Sequence, residues 1–298
     1  MFLELNHPVA GLLSIIVPVA NDSEGLRRTL ISIKAARQPL GGLEIVVGND
    51  GADPRASEIA AEFGAQEVAI SPIGGAYNAR NRALKCARGE WVAFTDAGVV
   101  VDSGWIEEGI AGLKKADYAC GRVIISEQTV RGIPHLYDWL NSFPVERYFR
   151  NSHFGPTANL FVRREVIERL GAFDARLRSG GDVEFGNRVH AAGFVQRYSR
   201  HQTVYHPPRT YREQLLKELR VTRGGCELHL YYPERFPQFR VSMRKVLRTL
   251  MPPRRLVFRT HTIDEFGPIP LQVRGLLYLI AWSMKLQRVR GQLKYLKL

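Results

Sequence analysis

The sequence predicts an α/β fold, a single mainly parallel mixed sheet flanked by helices, followed by a basic helical C-terminal extension. Three observations predict it. Short apolar, β-rich runs alternate with stretches of helical periodicity between residues 13 and 105. Acidic residues stand just past the carboxyl ends of those runs, where open parallel sheets bind ligands. The net charge of +13 is confined to the last third: residues 207–298 hold 19 Lys and Arg against 6 Asp and Glu, leaving 23 of each sign in residues 1–206. A neutral globular body with a basic tail is not a uniformly basic nucleic-acid binder, and the asymmetry directs the tail toward an anionic surface.

The elements follow in order. "LSIIVPV" (13–19), "LEIVVG" (43–48), "QEVAI" (66–70) and "WVAFT" (91–95) are the strands. Between the first two, "SEGLRRTLISIKAAR" places Leu26, Leu30, Ile33 and Ala36 or Arg37 at helical spacing, with Ser23 or Asp22 as N-cap. Before the fourth, "GGAYNARNRALKCARG" repeats Ala79, Ala83 and Ala87 at helical spacing, with Gly89 as its C-cap. Strands separated by helices imply right-handed crossovers and a parallel arrangement. The strand ends fall at Pro18–Asp22, Asn49–Asp53 and Asp96–Gly98, and each carries an acid.

Composition bounds the rest. A chain of 298 residues, 45% hydrophobic and 10% aromatic, builds a sizeable core. Cys86, Cys120 and Cys226 are odd in number without C-x-x-C spacing, which points to a reducing compartment, the cytosol, and away from a disulfide framework or a cysteine zinc site. The amino-terminal segment lacks a positive region before its apolar residues and is interrupted by Pro8 and Pro18, so a signal peptide is not expected. No apolar run reaches the roughly 18 residues of a membrane span.

Five segments in register, "SIIVPVAND", "EIVVGNDGADP", "GGAYNARNRALKCARGEWVAFTDAG", "TANLFVRREVIERLGAFDARLRSGGDVEFGNRVHAAG" and "VYHPP", resemble family 2 glycosyltransferases over about residues 13–230. The resemblance implies the Rossmann-like glycosyltransferase A-type fold. It also implies a catalytic domain at 1–230, with a nucleotide-binding half near 13–105 and an acceptor half near 106–230, before a basic helical segment at 231–298.

The resemblance assigns roles residue by residue, and each has a plainer reading beside it. Pro18 and Asp22 line the donor at the end of the first strand, where Ala20 replaces the usual aromatic residue. Asp50 accepts hydrogen bonds from the nucleotide base, since a carboxylate only accepts, although Asn49-Asp50-Gly51 is also ordinary turn chemistry. Arg80 sits near the donor nucleotide, where a guanidinium suits phosphate or a base edge. Asp96 holds a divalent cation, Mg²⁺ or Mn²⁺, against the donor diphosphate. The family's second acid is Gly98 here, which thins that site, and Asp102 is either a substitute ligand or, with Ser103, the cap of the helix in "SGWIEEGIAGLKKA". His206 completes the metal site in some relatives. Asp182, in "GGD" where the family has "GED", is the general base on the acceptor hydroxyl, though an acid is also favoured at a helix N-terminus for its charge alone. Glu184 is an acceptor-site candidate or an i, i+4 partner of Arg188. Trp139 and Tyr148 are candidates for stacking on a sugar.

In the tail, Leu286, Val289, Leu293 and Leu296 fall on one helix face with Lys285, Arg288, Lys294 and Lys297 around them, a basic amphipathic helix suited to an anionic membrane or to packing on protein. Together these features describe an inverting, metal-assisted transferase. It moves a sugar from a nucleoside diphosphate donor to a glycan or lipid-linked hydroxyl acceptor in cell-envelope synthesis, at the cytoplasmic face of a membrane through residues 271–298, without nucleic-acid partners. Two other classes are weighed: a nucleotidyltransferase, whose glycine-rich, lysine-bearing loop is missing near the first strand, and a non-catalytic nucleotide-sugar or nucleic-acid binder, against which the retained Asp96 and Asp182 speak.

Overall fold

The computed structural model describes residues 5–126, 130–141, 143–254 and 269–296. The first elements are β1 (Val9–Val19), α1 (Ser23–Ala35), β2 (Leu43–Asp50), α2 (Pro54–Glu62), β3 (Gln66–Ile70), α3 (Ala76–Cys86) and β4 (Gly89–Phe94). Then come β5 (Val100–Val101), α4 (Trp105–Leu113), β6 (Tyr118–Ile125), α5 (Gly132–Leu140), α6 (Val145–Ser152), β7 (Leu160–Arg163), α7 (Arg164–Leu170) and α8 (Gly181–Ala191). The chain continues through β8 (Gln196–His206), α9 (Tyr211–Tyr231), α10 (Met243–Leu250) and α11 (Leu271–Leu293). It divides into two compact units: residues up to 124 with 145–176 and 181–206, and residues 125–144 with 177–180 and 207–298. Within the second unit α9 packs on α11.

The first unit carries one mixed sheet of eight strands, ordered β3-β2-β1-β4-β7-β6-β8-β5. Its first four strands pair in parallel, joined by the helical crossovers that the alternating pattern predicts. Beyond β4 the pairing turns antiparallel, β7 against β4 and β6, and β5 against β8. β1 lies between two parallel neighbours, and it carries the largely apolar run of a strand covered on both faces, broken by Ser14, with Leu13, Ile15, Ile16 and Val17 fully buried. Asp22, not Ser23, caps α1, its Oδ1 accepting from the Gly25 N–H at 2.8 Å. Gly89 does not cap α3. That helix ends at Cys86 with Ala87 as its cap residue, and Gly89 already opens β4, where the Ser14 hydroxyl oxygen of β1 accepts the Gly89 N–H at 2.7 Å while donating to Glu44 at 2.6 Å. Ahead of α4, Asp102 Oδ1 accepts from the Gly104 N–H at 3.1 Å, and Gly104 is the cap residue itself.

An aromatic column fixes α8 against α3: Tyr77 stacks on Phe173 at 5.6 Å, and Phe173 meets Phe94 at 5.2 Å and Phe185 at 5.0 Å. Asn81 clamps the same segment, donating to the Phe173 carbonyl at 2.7 Å and accepting its N–H at 3.1 Å.

A second aromatic pair makes stability depend on pH. The rings of His153 and His190 stack with centroids 3.6 Å apart and planes 2° from parallel. Burial, and then the His190 charge, hold the His153 pKa below its ordinary 6.5. The unfolded chain therefore takes up a proton that the folded chain resists, so the pair's contribution is intact above pH 6.5 and is lost as pH falls below it. Thermal unfolding of His190→Gln, followed from about pH 7 to pH 5, is expected to show a shallower loss of stability than the parent chain. An unchanged slope would exclude the pair as its source.

The second unit is helical. Its core joins Ile125, Trp139, Leu140 and Leu277, with Ile133, Leu136, Phe143 and Val273 packed around them. Thr210 opens α9 with a capping box, Glu213 Oε2 accepting the Thr210 N–H at 2.7 Å while the Thr210 hydroxyl takes the Glu213 N–H. α11 is held to α9 by the Arg288–Glu218 ion pair, and the Tyr295 hydroxyl just beyond it donates to Glu227 at 2.9 Å. Among the described residues no helix is long and apolar enough to cross a membrane. Residues 1–4 and Lys297, which enter the sequence reading, lie outside the described residues.

Candidate functional site

The parallel half of the sheet delivers three acids to its carboxyl edge, and the structure gives each a partner. Asp50, at the end of β2, is buried and accepts the Gly74 N–H at 2.7 Å on Oδ1 and the Gly75 N–H at 2.8 Å on Oδ2. These bonds pin the loop that starts α3. Each oxygen keeps a second lone pair for a ligand donor. Pro18, near the end of β1, is paired in register with Gly48 of β2, two residues before Asp50.

Asp96 follows β4 and opens a turn closed by the Val99 N–H on its carbonyl at 3.2 Å. The Thr29 hydroxyl of α1 sits among the carbonyls of Gly25, Asp96 and Val99, nearest the last at 2.7 Å, and so ties the turn to the helix that Asp22 caps. Gly98 has φ of +89°, in the left-handed region where a side chain is strained, and a Cβ there would lie 3.4 Å from Asp22 Oδ2. A second acid at this position is therefore opposed twice, by the backbone and by the Asp22 carboxylate already beside it.

The Asp96 side chain is 37% exposed, and its Oδ1 pairs with the guanidinium of Arg80, which is almost wholly buried. Arg80 lies over the Tyr77 ring at 5.5 Å, and its buried Nε has no hydrogen-bond partner. Tyr77 in turn meets Asp182: its hydroxyl is 3.4 Å from Asp182 Oδ1 and 3.4 Å from the Asp182 N–H. Tyr77 and Arg80 are three residues apart on α3, one face of one helix. That face thus contacts both Asp96 and Asp182. Tyr77 is the site residue that sequence reasoning missed, although it stands inside the "GGAYNARN" segment.

Asp182 lies in the first turn of α8, half-buried, with Oδ1 accepting the Val183 N–H at 2.9 Å. Its neighbour explains the "GGD" departure. A Cβ on Gly181 would fall 2.7 Å from the Tyr77 ring, so the usual Glu has no room. Gly181→Glu is expected to lower stability by about 1–3 kcal/mol through this overpacking, read as a shift in the urea midpoint; an unshifted midpoint would show that Tyr77 yields freely.

His206 ends β8. Extending the β5–β8 register by one residue from Val100↔Tyr205 sets it across from Val99, at the close of the Asp96 turn. Among the described residues no group of three or more His, Cys, Asp or Glu gathers as a metal site. The residues present fit a hard cation only as a partial set, one exposed carboxylate with a histidine near its turn, the remaining oxygens coming from an anionic ligand and water.

Three candidates have structural duties instead. Trp139 is in the core of the second unit and not on a sugar-binding surface, because Ile125, Leu140 and Leu277 enclose it. Tyr148 stacks on Phe154 at 5.3 Å, nearly parallel. Glu184 is buried and pairs with Arg188 at 2.8 Å, and Arg188 also donates to the carbonyls of Leu170, Gly171 and Ala172, which fastens α8 to the end of α7.

Comparison with known proteins agrees with this fold. The Haloferax volcanii protein "Glycosyltransferase AglE" is 26% identical over 299 residues, covering 95% of each chain. A Mycobacterium bovis "PGL/p-HBAD biosynthesis glycosyltransferase" is 27% identical, covering 83% of this chain and 98% of its own. Among solved structures, the mannosyltransferase PcManGT from Pyrobaculum calidifontis in complex with GDP-Man and Mn²⁺ superposes with a TM-score of 0.61 at 16% identity, over 95% of this chain and 86% of that one. S. aureus TarS 1-349 with UDP-GlcNAc gives 0.55 at 16% identity, over 95% and 91%. These neighbours share the glycosyltransferase A-type arrangement of a mixed sheet flanked by helices. The model of glycosyl transferase family 2 matches residues 14–171, more than half of the chain, so the chain belongs to that family and is a glycosyltransferase.

Proposed function

We propose that the chain transfers a sugar, with inversion, from a nucleoside diphosphate donor to a hydroxyl of a polysaccharide, glycolipid or lipid-linked acceptor. The observation that carries this reading is the face of α3 that contacts Asp96 through Arg80 and Asp182 through Tyr77. A base and a charge-bearing carboxylate held by one rigid helix keep a fixed separation, which an in-line displacement needs.

In the proposed step, Asp182 takes the proton of the acceptor hydroxyl as its oxygen bonds to the anomeric carbon. The bond from that carbon to the diphosphate breaks on the opposite face, which inverts the centre. Tyr77 orients the Asp182 carboxylate. Asp50 and the loop it pins receive the base, Pro18 and Asp22 border the donor, and the unpartnered Arg80 Nε supports a donor for phosphate oxygen. Asp96, with His206 beside its turn, would hold Mg²⁺ or Mn²⁺, and the ion would supply positive charge to the departing diphosphate. The PcManGT complex with GDP-Man and Mn²⁺ and the TarS complex with UDP-GlcNAc support a donor of this chemical class.

Thermal unfolding with GDP-mannose, UDP-GlcNAc and UDP-glucose, each with and without Mn²⁺, tests the reading. One donor is expected to stabilise the fold by roughly 2.7 kcal/mol at a hundred times its Kd, and less when Mn²⁺ is withheld. No shift with any nucleotide sugar, in either condition, would overturn it.

A further inference from the structure

The tail helix has two apolar faces, and among the described residues one is buried and the other exposed. Leu277, Met284 and Gly291, seven residues apart, are buried on the side that faces the second unit's core. Leu279, Leu286 and Leu293 repeat the same spacing two residues later and are 56%, 43% and 53% exposed. Two residues turn an α-helix by roughly 200°, so this second series lies opposite the packed one, with Leu276 on its border. The sequence reading grouped Leu286 and Leu293 as a packing or membrane face; the structure keeps them outward and gives the packing to the other series.

A neighbouring helix continues the same surface. On α10, Met243, Leu247 and Leu250 follow i, i+4, i+7 spacing and are all exposed, while Val246 alone is buried and seats the helix. Arg244 and Arg248 flank that stripe, both exposed. The two stripes meet at Trp282, whose Nε1 donates to the Leu250 carbonyl at 3.3 Å and which lies three residues after Leu279 and four before Leu286. Arg290 and Lys294, exposed, stand one and two turns on from Leu286.

We propose that α10 and the outward face of α11 form an in-plane anchor for an anionic lipid surface. Apolar side chains of this arc enter the boundary between headgroups and acyl chains, and the flanking arginines and lysines meet the headgroup phosphates. Charge selects this occupant over a second copy of the chain. Residues 207–298 carry 19 basic against 6 acidic residues, so self-association through this face would bring two cationic surfaces together, whereas an anionic bilayer complements them. The inference does not depend on the donor or the catalytic base, and its test reads binding without turnover.

Flotation of the full chain with vesicles of phosphatidylglycerol and phosphatidylcholine is expected, with little flotation on phosphatidylcholine alone. Leu279→Asp with Leu286→Asp should abolish it. Arg244→Gln with Arg248→Gln should weaken it by roughly 25-fold, about fivefold for each basic residue lost near an anionic surface, without touching the apolar stripe. The unliganded thermal unfolding midpoint of each variant reports whether the rest of the chain is intact. Equal binding to both vesicle types, or variants that float like the parent, would overturn the proposal. So would light scattering that finds a dimer in the parent which the leucine variant dissolves, since the face would then serve a second copy.

Discussion

Asp182→Asn is expected to keep the fold and donor binding while transfer to the acceptor falls by about 10²- to 10⁴-fold, the usual cost of removing a general base. The amide is the same size as the carboxylate, and its oxygen still accepts the Val183 N–H that Asp182 Oδ1 takes at 2.9 Å. What it loses is the charge that draws the hydroxyl proton. Tyr77→Phe separates this role from simple packing. The ring remains against Phe173 and Gly181, but the hydroxyl near Asp182 is gone, so kcat should fall while the donor-induced thermal shift holds. Parent-like turnover by Asp182→Asn with the true acceptor would remove the base assignment.

Asp96→Asn is the second large effect. Transfer is expected to fall by about 10²- to 10³-fold, the size of the loss when one preorganised charge-stabilising group is removed. Titration of Mn²⁺ in the presence of a nucleoside diphosphate should lose most of its heat. The ion pair adds a second readout. Arg80 is buried and would face a neutral amide, which is expected to cost about 1–3 kcal/mol of stability. With one carboxylate at the turn and no side chain at Gly98, the cation should bind together with the donor and only weakly to the empty chain. Full transfer by the parent chain in excess EDTA would show that the Asp96 turn holds no ion.

The strands of the parallel half were legible because a strand covered on both faces is mostly apolar, and "LSIIVPV" and "LEIVVG" are, with Ser14 and Glu44 as the exceptions that bond each other. The first helix was legible for a similar reason, its cap and its buried stripe being neighbours in sequence. The partnerships of the site were not. Tyr77 and Asp182 are separated by 105 residues, and nothing within "GGAYNARN" discloses that its tyrosine reaches a carboxylate in α8. Trp139 read as a surface aromatic because its local sequence, "LYDWLNSF", is polar in part, yet its enclosing residue Leu277 comes from the far end of the chain. The tail misled in a subtler way. A single heptad stripe was read where α11 carries two, and periodicity alone does not tell which of two opposed stripes is packed.

The sheet also dictates an order of assembly. The strands β1 to β4 occupy residues 9–94, each joined to a neighbour by a short crossover, so this half can form while the rest of the chain is still being synthesised. β5, which begins just after the Asp96 turn, has no such partner nearby; Val100 and Val101 wait for Tyr205 and Val204 of β8. A nascent chain therefore holds a nearly finished parallel scaffold, its Asp96 turn already tied to α1 through Thr29, while the β5 segment stays unpaired until the last strand arrives. Premature termination before residue 196 would leave a product with its parallel strands paired and Val100 and Val101 without their β8 partners.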